Sequence, residues 1–404
     1  MHARWLLIAV AALLLSSAAI GAPVAIPATT NAAAAYMSVH EIIWAAAQFA
    51  GLVLPALLLF TGWGARLRMA CARLARGNRY ATLTLFAAAY LVLAALVLAP
   101  LDYWRDIASE QALGRPGDPP APWLLGEIVP LLVKIVGAAL FLWIPYWLIA
   151  KSPRRWWLYA ALTLIPIAFA ILVALPVFVD PLTTHYEPLH DKALAAKIET
   201  LASRCGVPGI PIFVGGDDDT VVGLGPTNRI VLEDDIAKHE TPDQIVGTVG
   251  HELKHYVMGD NYKALAIIAA VLLAGFWLVN RIGRWAIRRW RLGFDDLADP
   301  ASLPLVVLIL SAFWLCLLPL FNWEARSIER EADRFGIELT HENRANAELF
   351  AGWASKYPPD YDMFFLIFRA THPSLADRIA MMNDYRPWET GAPLVYGDVC
   401  KAAR

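Results

Sequence analysis

The chain has 404 residues, of which 58% are hydrophobic and 17% charged, with a mean hydropathy of +0.48. Soluble domains carry about a quarter charged residues, so this composition excludes an ordinary water-soluble globule and implies a lipid bilayer around part of the chain. A net charge of −2 gives no reason to expect a nucleic-acid partner.

Spanning the hydrocarbon core takes about 20 mostly apolar residues. Runs of that kind lie at 5–21, 38–62, 80–101, 124–149, 157–179, 264–280 and 302–321, which predicts six or seven spans. Residues 1–21 follow the pattern of either a signal-like segment or a first membrane helix. Residues 22–180 form an N-terminal membrane region of about four spans. Trp63, Trp123, Trp156, Trp157 and Trp285, near the run ends, are expected in the interfacial belts. Three loops are basic: Arg66 to Arg79, Lys151 to Arg155, and Arg281 to Arg291. They alternate in the topology and so share one face, which the positive-inside rule makes cytoplasmic.

The polar stretches 181–262 and 322–404 then lie together on the non-cytoplasmic face of a multi-pass protein, as in a bacterial inner membrane or its equivalent. Residues 263–321, two membrane helices and a basic loop, separate them. One domain built from two halves is expected, with a helix over 187–204, short strands at GIPIFV and RIVLED, and a further helix over 242–262. Cys71, Cys205, Cys316 and Cys400 are widely scattered, with no CxxC, and are expected to be unpaired structural thiols.

Residues 251–255 read HELKH. On a helix, His251 and His255 stand one turn apart on one face, a spacing that suits two nitrogen ligands of a single tetrahedral zinc. Glu252 beside them can take a proton from water at the open fourth position. The alternative is a chance HExxH on a surface helix. A catalytic zinc needs a third protein ligand, and the helix former NWEARSIEREADRFGIEL offers Glu324, Glu329 and Glu331. Ala325, Ile328, Ala332 and Phe335 fall at a buried-stripe spacing, while Arg326, Glu329 and Asp333 make an adjoining polar face. This phase favours Glu329 as ligand, with Asp333 one turn on to orient a neighbouring imidazole. Glu331 as ligand, or a plain surface helix, are the alternatives.

GHELKHYVMGD, EARSIEREADRF and THPSLADRI together resemble the membrane gluzincins that include type I CAAX prenyl protease, with HtpX-like quality-control proteases more distant. Segments such as LAPLDYWRD at 98–106 extend the likeness over most of 38–385. The resemblance implies a mainly α fold: a ring of membrane helices enclosing a chamber, capped by a small α+β zincin domain. It assigns the third-ligand role to Glu329 and the orienting role to Asp333. It also implies that His372 contacts substrate or a developing oxyanion and that Arg378 supports the site; without it, His372 before Pro373 would read as a helix-start residue. Where relatives carry an edge strand that pairs with substrate, this chain has Asp218 and Asp219, a poor strand sequence. The resemblance to the eukaryotic prenyl proteases implies a metal site facing the cytosol, against the arginine distribution here. The expected activity is zinc-dependent hydrolysis of a peptide or membrane-associated protein, one Zn²⁺ per chain. A quality-control protease is the nearer alternative. A catalytically silent membrane scaffold or transporter is the more remote one.

Overall fold

In hydrocarbon each segment must satisfy its own backbone N–H and C=O groups, so the apolar runs become helices. The computed structural model describes residues 22–400 except 113, 115–116, 175–176, 179–183, 217–219, 224–226, 228 and 355–356. The apolar run 5–21 and the pair Asp218 and Asp219 lie outside the described residues. The N-terminal membrane region comprises α1 (Asn31–Phe60), α2 (Trp63–Leu74), α3 (Arg79–Tyr103, continued by a π-turn), α4 (Pro120–Phe141), α5 (Trp143–Lys151) and α6 (Trp156–Ala174). The chain then leaves the apolar region through β1 (Glu187–Pro188), α7 (Lys192–Arg204), β2 (Ile212–Val214), β3 (Thr220–Val222), β4 (Arg229–Leu232), α8 (Asp234–His239) and α9 (Pro242–Val257). It returns through α10 (Asp260–Arg289) and α11 (Leu303–Thr340), followed by α12 (Asn343–Ala354), α13 (Met363–Phe368), α14 (Leu375–Asp384) and a single helical turn at Pro387–Thr390.

Among the described residues five helices are long and apolar enough to cross a membrane, and α6 is a shorter apolar one. Helix α4 has no buried residue. A helix at the centre of a packed bundle would bury a stripe; α4 belongs to a wall. The loop between α1 and α3 meets the α10–α11 connection through Arg68 and Asp299, 2.9 Å apart. Arg284 Nη1 donates to Pro153 O at 3.1 Å. All three basic loops therefore gather at one end. At the other end the chain before α1 rests on the polar domain: the Val24 N–H donates to Asn383 Oδ1, and Asn383 Nδ2 donates to Val24 O, both at 2.9 Å.

The polar domain is a four-stranded sheet in the order β1-β2-β4-β3, packed on α7 and α9. β2 pairs in parallel with β4, Phe213 opposite Val231, and β3 closes one edge antiparallel to β4. Its core joins Ile198, Ile230, Leu232, Val249 and Leu253 to Phe335 of α11, so the two separated halves share one core. A second cluster, Ile337, Ala347, Phe350, Ile379 and Met382, seats α12 and α14 on the far side of α11.

Three expectations are corrected. Cys205 and Cys400 form a disulfide 195 residues apart, while Cys71 and Cys316 are free. Sequence spacing carried no sign of the pair because the chain crosses the membrane twice between them. Trp156 is not a belt residue: it is buried in the helix core, where its indole N–H donates to Asn280 Oδ1 at 3.1 Å. Trp63 and Trp285 are exposed. The helix expected over 242–262 breaks at Gly259, whose φ of 64° is left-handed, and Asp260 opens α10.

Candidate metal centre

Helix α9 starts where the sequence dictates. Pro242 occupies the first turn, and Thr241 and Gln244 form a reciprocal capping box. From that start, His251 and His255 face α11. Helix α11 is continuous for 38 residues, its first half apolar and its second half polar. Glu329 and Asp333 thus stand on the rigid extension of a membrane helix. Glycines let the two helices approach. A Cβ on Gly336 would lie 2.9 Å from His251 N, and one on Gly250 would lie 2.7 Å from Thr340 Cγ2.

The two imidazole Nε2 atoms are 3.3 Å apart. Glu329 Oε2 lies 3.0 Å from His251 Nε2, and Oε1 lies 3.7 Å from His255 Nε2. Ligand-type atoms of His251, Glu252 and His255 also fall within 4.8 Å of one another. Behind each imidazole stands a carboxylate. His251 Nδ1–H donates to Asp333 Oδ1, and His255 Nδ1–H donates to Asp260 Oδ2, both at 2.9 Å. These bonds turn both Nε2 lone pairs toward one point. Arg378 holds Asp333 in turn, Nε to Oδ2 at 2.8 Å and Nη2 to Oδ1 at 2.5 Å. The Arg378 guanidinium also lies 3.8 Å over the Phe350 ring.

Glu329 Oε2 is buried, with His251 Nε2 at 3.0 Å and His372 Nε2 at 3.3 Å. A carboxylate taken out of water is costly unless a cation, a protonated imidazole or a metal, meets it. Two imidazoles and one carboxylate are the donor set of a catalytic zinc, so the residues fit that metal. The electrostatics agree. Burial works against a charged His251, but the Asp333 hydrogen bond and the Glu329 carboxylate prevail and raise its pKa to about 10. Burial pushes Glu252 above the usual carboxylate range and His372 below the usual imidazole value.

His372 joins the cluster, its Nε2 3.3 Å from Glu329 Oε2. Arg326 does not. Its Nη1 donates to Leu366 O (2.5 Å) and Ala370 O (2.6 Å), tying down the segment that leads to His372. Glu331 points elsewhere, 3.4 Å from Lys254 Nζ and 46% exposed. The buried stripe is also less apolar than its spacing implies. Arg326 and Asp333 are buried, whereas Ala325 and Ile328 are only partly covered. Sequence reading missed Asp260, which also accepts from Lys254 and Lys263. The signal was the Gly259-Asp260 pair just past the second histidine, a helix break that returns a carboxylate toward the metal face.

The model for peptidase family M48 matches residues 188–386, and that for the CAAX prenyl protease N-terminal region, five membrane helices, matches 22–185. A Bacillus subtilis protein named uncharacterized metalloprotease YhfN is 32% identical over 70% of this chain and 69% of its own length. The CAAX prenyl protease 1 homolog of Dictyostelium discoideum is 25% identical over 69% of this chain and 68% of its own. The crystal structure of S. mikatae Ste24p superposes with a TM-score of 0.72 at 20% identity, covering 87% of this chain and 88% of that one, and shows the same fold. The chain therefore belongs to peptidase family M48 and is a multi-pass membrane metallopeptidase.

Proposed function

We propose that the site is a zinc endopeptidase centre in which His251, His255 and Glu329 hold one Zn²⁺ per chain. The observation that carries this reading is the convergence of two carboxylate-backed imidazoles on the buried Glu329 carboxylate. Zinc, when bound, supplies a Lewis acid that activates water and polarises a scissile carbonyl. Glu252 removes the proton from the attacking water and delivers it to the leaving amine. Its raised pKa suits a group that must hold that proton in transit. His372, half-exposed at the mouth of the site and with its pKa lowered, donates an N–H to the oxygen on which negative charge develops. Asp333 and Arg378 hold the His251 ring in one tautomer.

The cleft beside the site has a volume of about 460 Å³. Leu349, Phe350, Trp353, Tyr357, Tyr361 and Phe365 give it an apolar wall, suited to a large apolar substrate side chain next to the cleaved bond. Met37, from the first membrane helix, also lines it, so the cleft borders the membrane region. Peptides associated with a membrane, prenylated or not, are the substrate class this supports. The orientation we propose places the metal domain on the non-cytoplasmic face. The basic loops gather at the opposite end, and the Cys205–Cys400 disulfide belongs to an oxidising compartment.

Incubating the purified protein with a farnesylated CAAX peptide and with unprenylated casein, each with and without a chelator, tests the reading. Chelator-sensitive cleavage of either substrate supports a zinc endopeptidase, and the preference between them assigns the substrate. No cleavage of either, with zinc bound, contradicts it.

A further inference from the structure

Helix α12 carries two buried asparagines in very different situations. Asn343 Nδ2 donates to Met382 O (2.8 Å) and Tyr385 O (3.0 Å), which fixes α12 to the end of α14. Asn346, one turn on, is equally buried at 4% exposed. Yet among the described residues its carboxamide has no hydrogen-bond partner; only its backbone N–H is engaged, with Glu342 O.

The carboxamide borders the cleft that contains His251 and Glu252. It lies flat against Gly247: a Cβ built there would sit 2.2 Å from Asn346 Oδ1 and 2.4 Å from Nδ2. Gly247 is four residues before His251 on α9, one turn along the same face. The glycine thus makes room for this side chain, one helical turn from a proposed metal ligand. The amide is held at the cleft surface with no hydrogen bond from the described residues, so its donors and acceptor are left for a molecule that enters the cleft. A carboxamide offers one acceptor and two donors, the complement of a peptide group's N–H and C=O.

We propose that Asn346 is a substrate-binding residue that hydrogen-bonds the main chain of the substrate beside the residue whose side chain fills the apolar cleft. The assignment rests on the peptidase reading above. It gives the cleft directionality: the apolar wall selects the side chain, and Asn346 sets the register of the backbone relative to the metal.

The test couples a variant to a backbone edit of the substrate. A fluorogenic peptide with a phenylalanine next to the scissile bond is compared with ester analogues, in which one flanking peptide group at a time loses its N–H and weakens as an acceptor. Wild type is expected to lose about tenfold in kcat/KM on one analogue. Asn346→Leu is expected to lose a similar factor on the parent peptide, to lose nothing further on that analogue, and to keep its bound zinc. Asn346→Asp, nearly isosteric, keeps the packing on Gly247 and should show the same loss of coupling if the leucine variant folds poorly. Parent cleavage at the wild-type rate by either variant, or an ester penalty undiminished in both, overturns the assignment. Wild type that shows no chelator-sensitive cleavage of the parent overturns the peptidase reading and this assignment with it.

Discussion

His251 is held from both sides, by Asp333 at Nδ1 and by Glu329 beside Nε2. In the metal-free protein that pairing keeps the ring protonated, with a pKa near 10. A metal needs the bare Nε2, so its uptake must expel that proton. At neutral pH zinc binding is expected to release about one proton per chain, and the apparent affinity is expected to rise with pH. Calorimetry in buffers of different ionisation enthalpy measures this directly; zinc uptake with no proton release would contradict the assignment of His251. The carboxylates should separate by role. Glu329→Ala is expected to abolish stoichiometric zinc, and Glu331→Ala to leave it near wild type. Asp333→Ala or Asp260→Ala should each lower zinc affinity by roughly 10–100-fold. Zinc analysis after dialysis ranks them, and a larger loss for Glu331→Ala than for Glu329→Ala would show that the phase of α11 is misread.

At the scale of elements, the site depends on how closely α9 and α11 approach. Gly336 has the His251 backbone in the place of a Cβ. Gly336→Ala is expected to destabilise the domain by about 1–3 kcal/mol and to weaken zinc binding, because backbone cannot rotate out of the way as a side chain can. A thermal melt with unchanged midpoint and full zinc would refute that. These two helices also show what the sequence makes legible. HELKH and the Arg326–Glu329–Asp333 face could be read because each lies within one helix, where a period of 3.6 fixes which residues share a side. Asp260 was hidden because its position depends on a left-handed turn at Gly259 and not on helical phase. Arg326 shared the phase of Glu329 but turned to the carbonyls of Leu366 and Ala370, acceptors distant in sequence. Trp156 could not be told from a belt residue without knowing that Asn280 faces it.

On the whole molecule, hydropathy and arginine counts gave the apolar helices that fall within the described residues and the shared end of the basic loops, since both are sums over many residues. Cysteine pairing across two membrane crossings gave no such signal. Glu338 accepts from the N–H groups of Val395 and Tyr396 and from the Tyr385 hydroxyl, and with the disulfide it fastens the C-terminal segment to the domain. Cys400→Ser is expected to destabilise the domain by about 2–5 kcal/mol, read as a lower melting temperature that reductant reproduces in wild type. For orientation, in a chain with Cys71 and Cys316 replaced by serine, His190→Cys should react with an impermeant thiol reagent in intact cells and Ala72→Cys should not. The reverse pattern would place the metal domain in the cytoplasm and leave the metal assignment standing. If Glu252 performs chemistry at a metal held by other residues, zinc content and peptide cleavage must part company in Glu252→Gln measured beside wild type. Both proteins are expected to hold about one zinc per chain while the variant's cleavage rate falls by several orders of magnitude; wild-type cleavage by a zinc-loaded Glu252→Gln preparation would show that Glu252 is not the base.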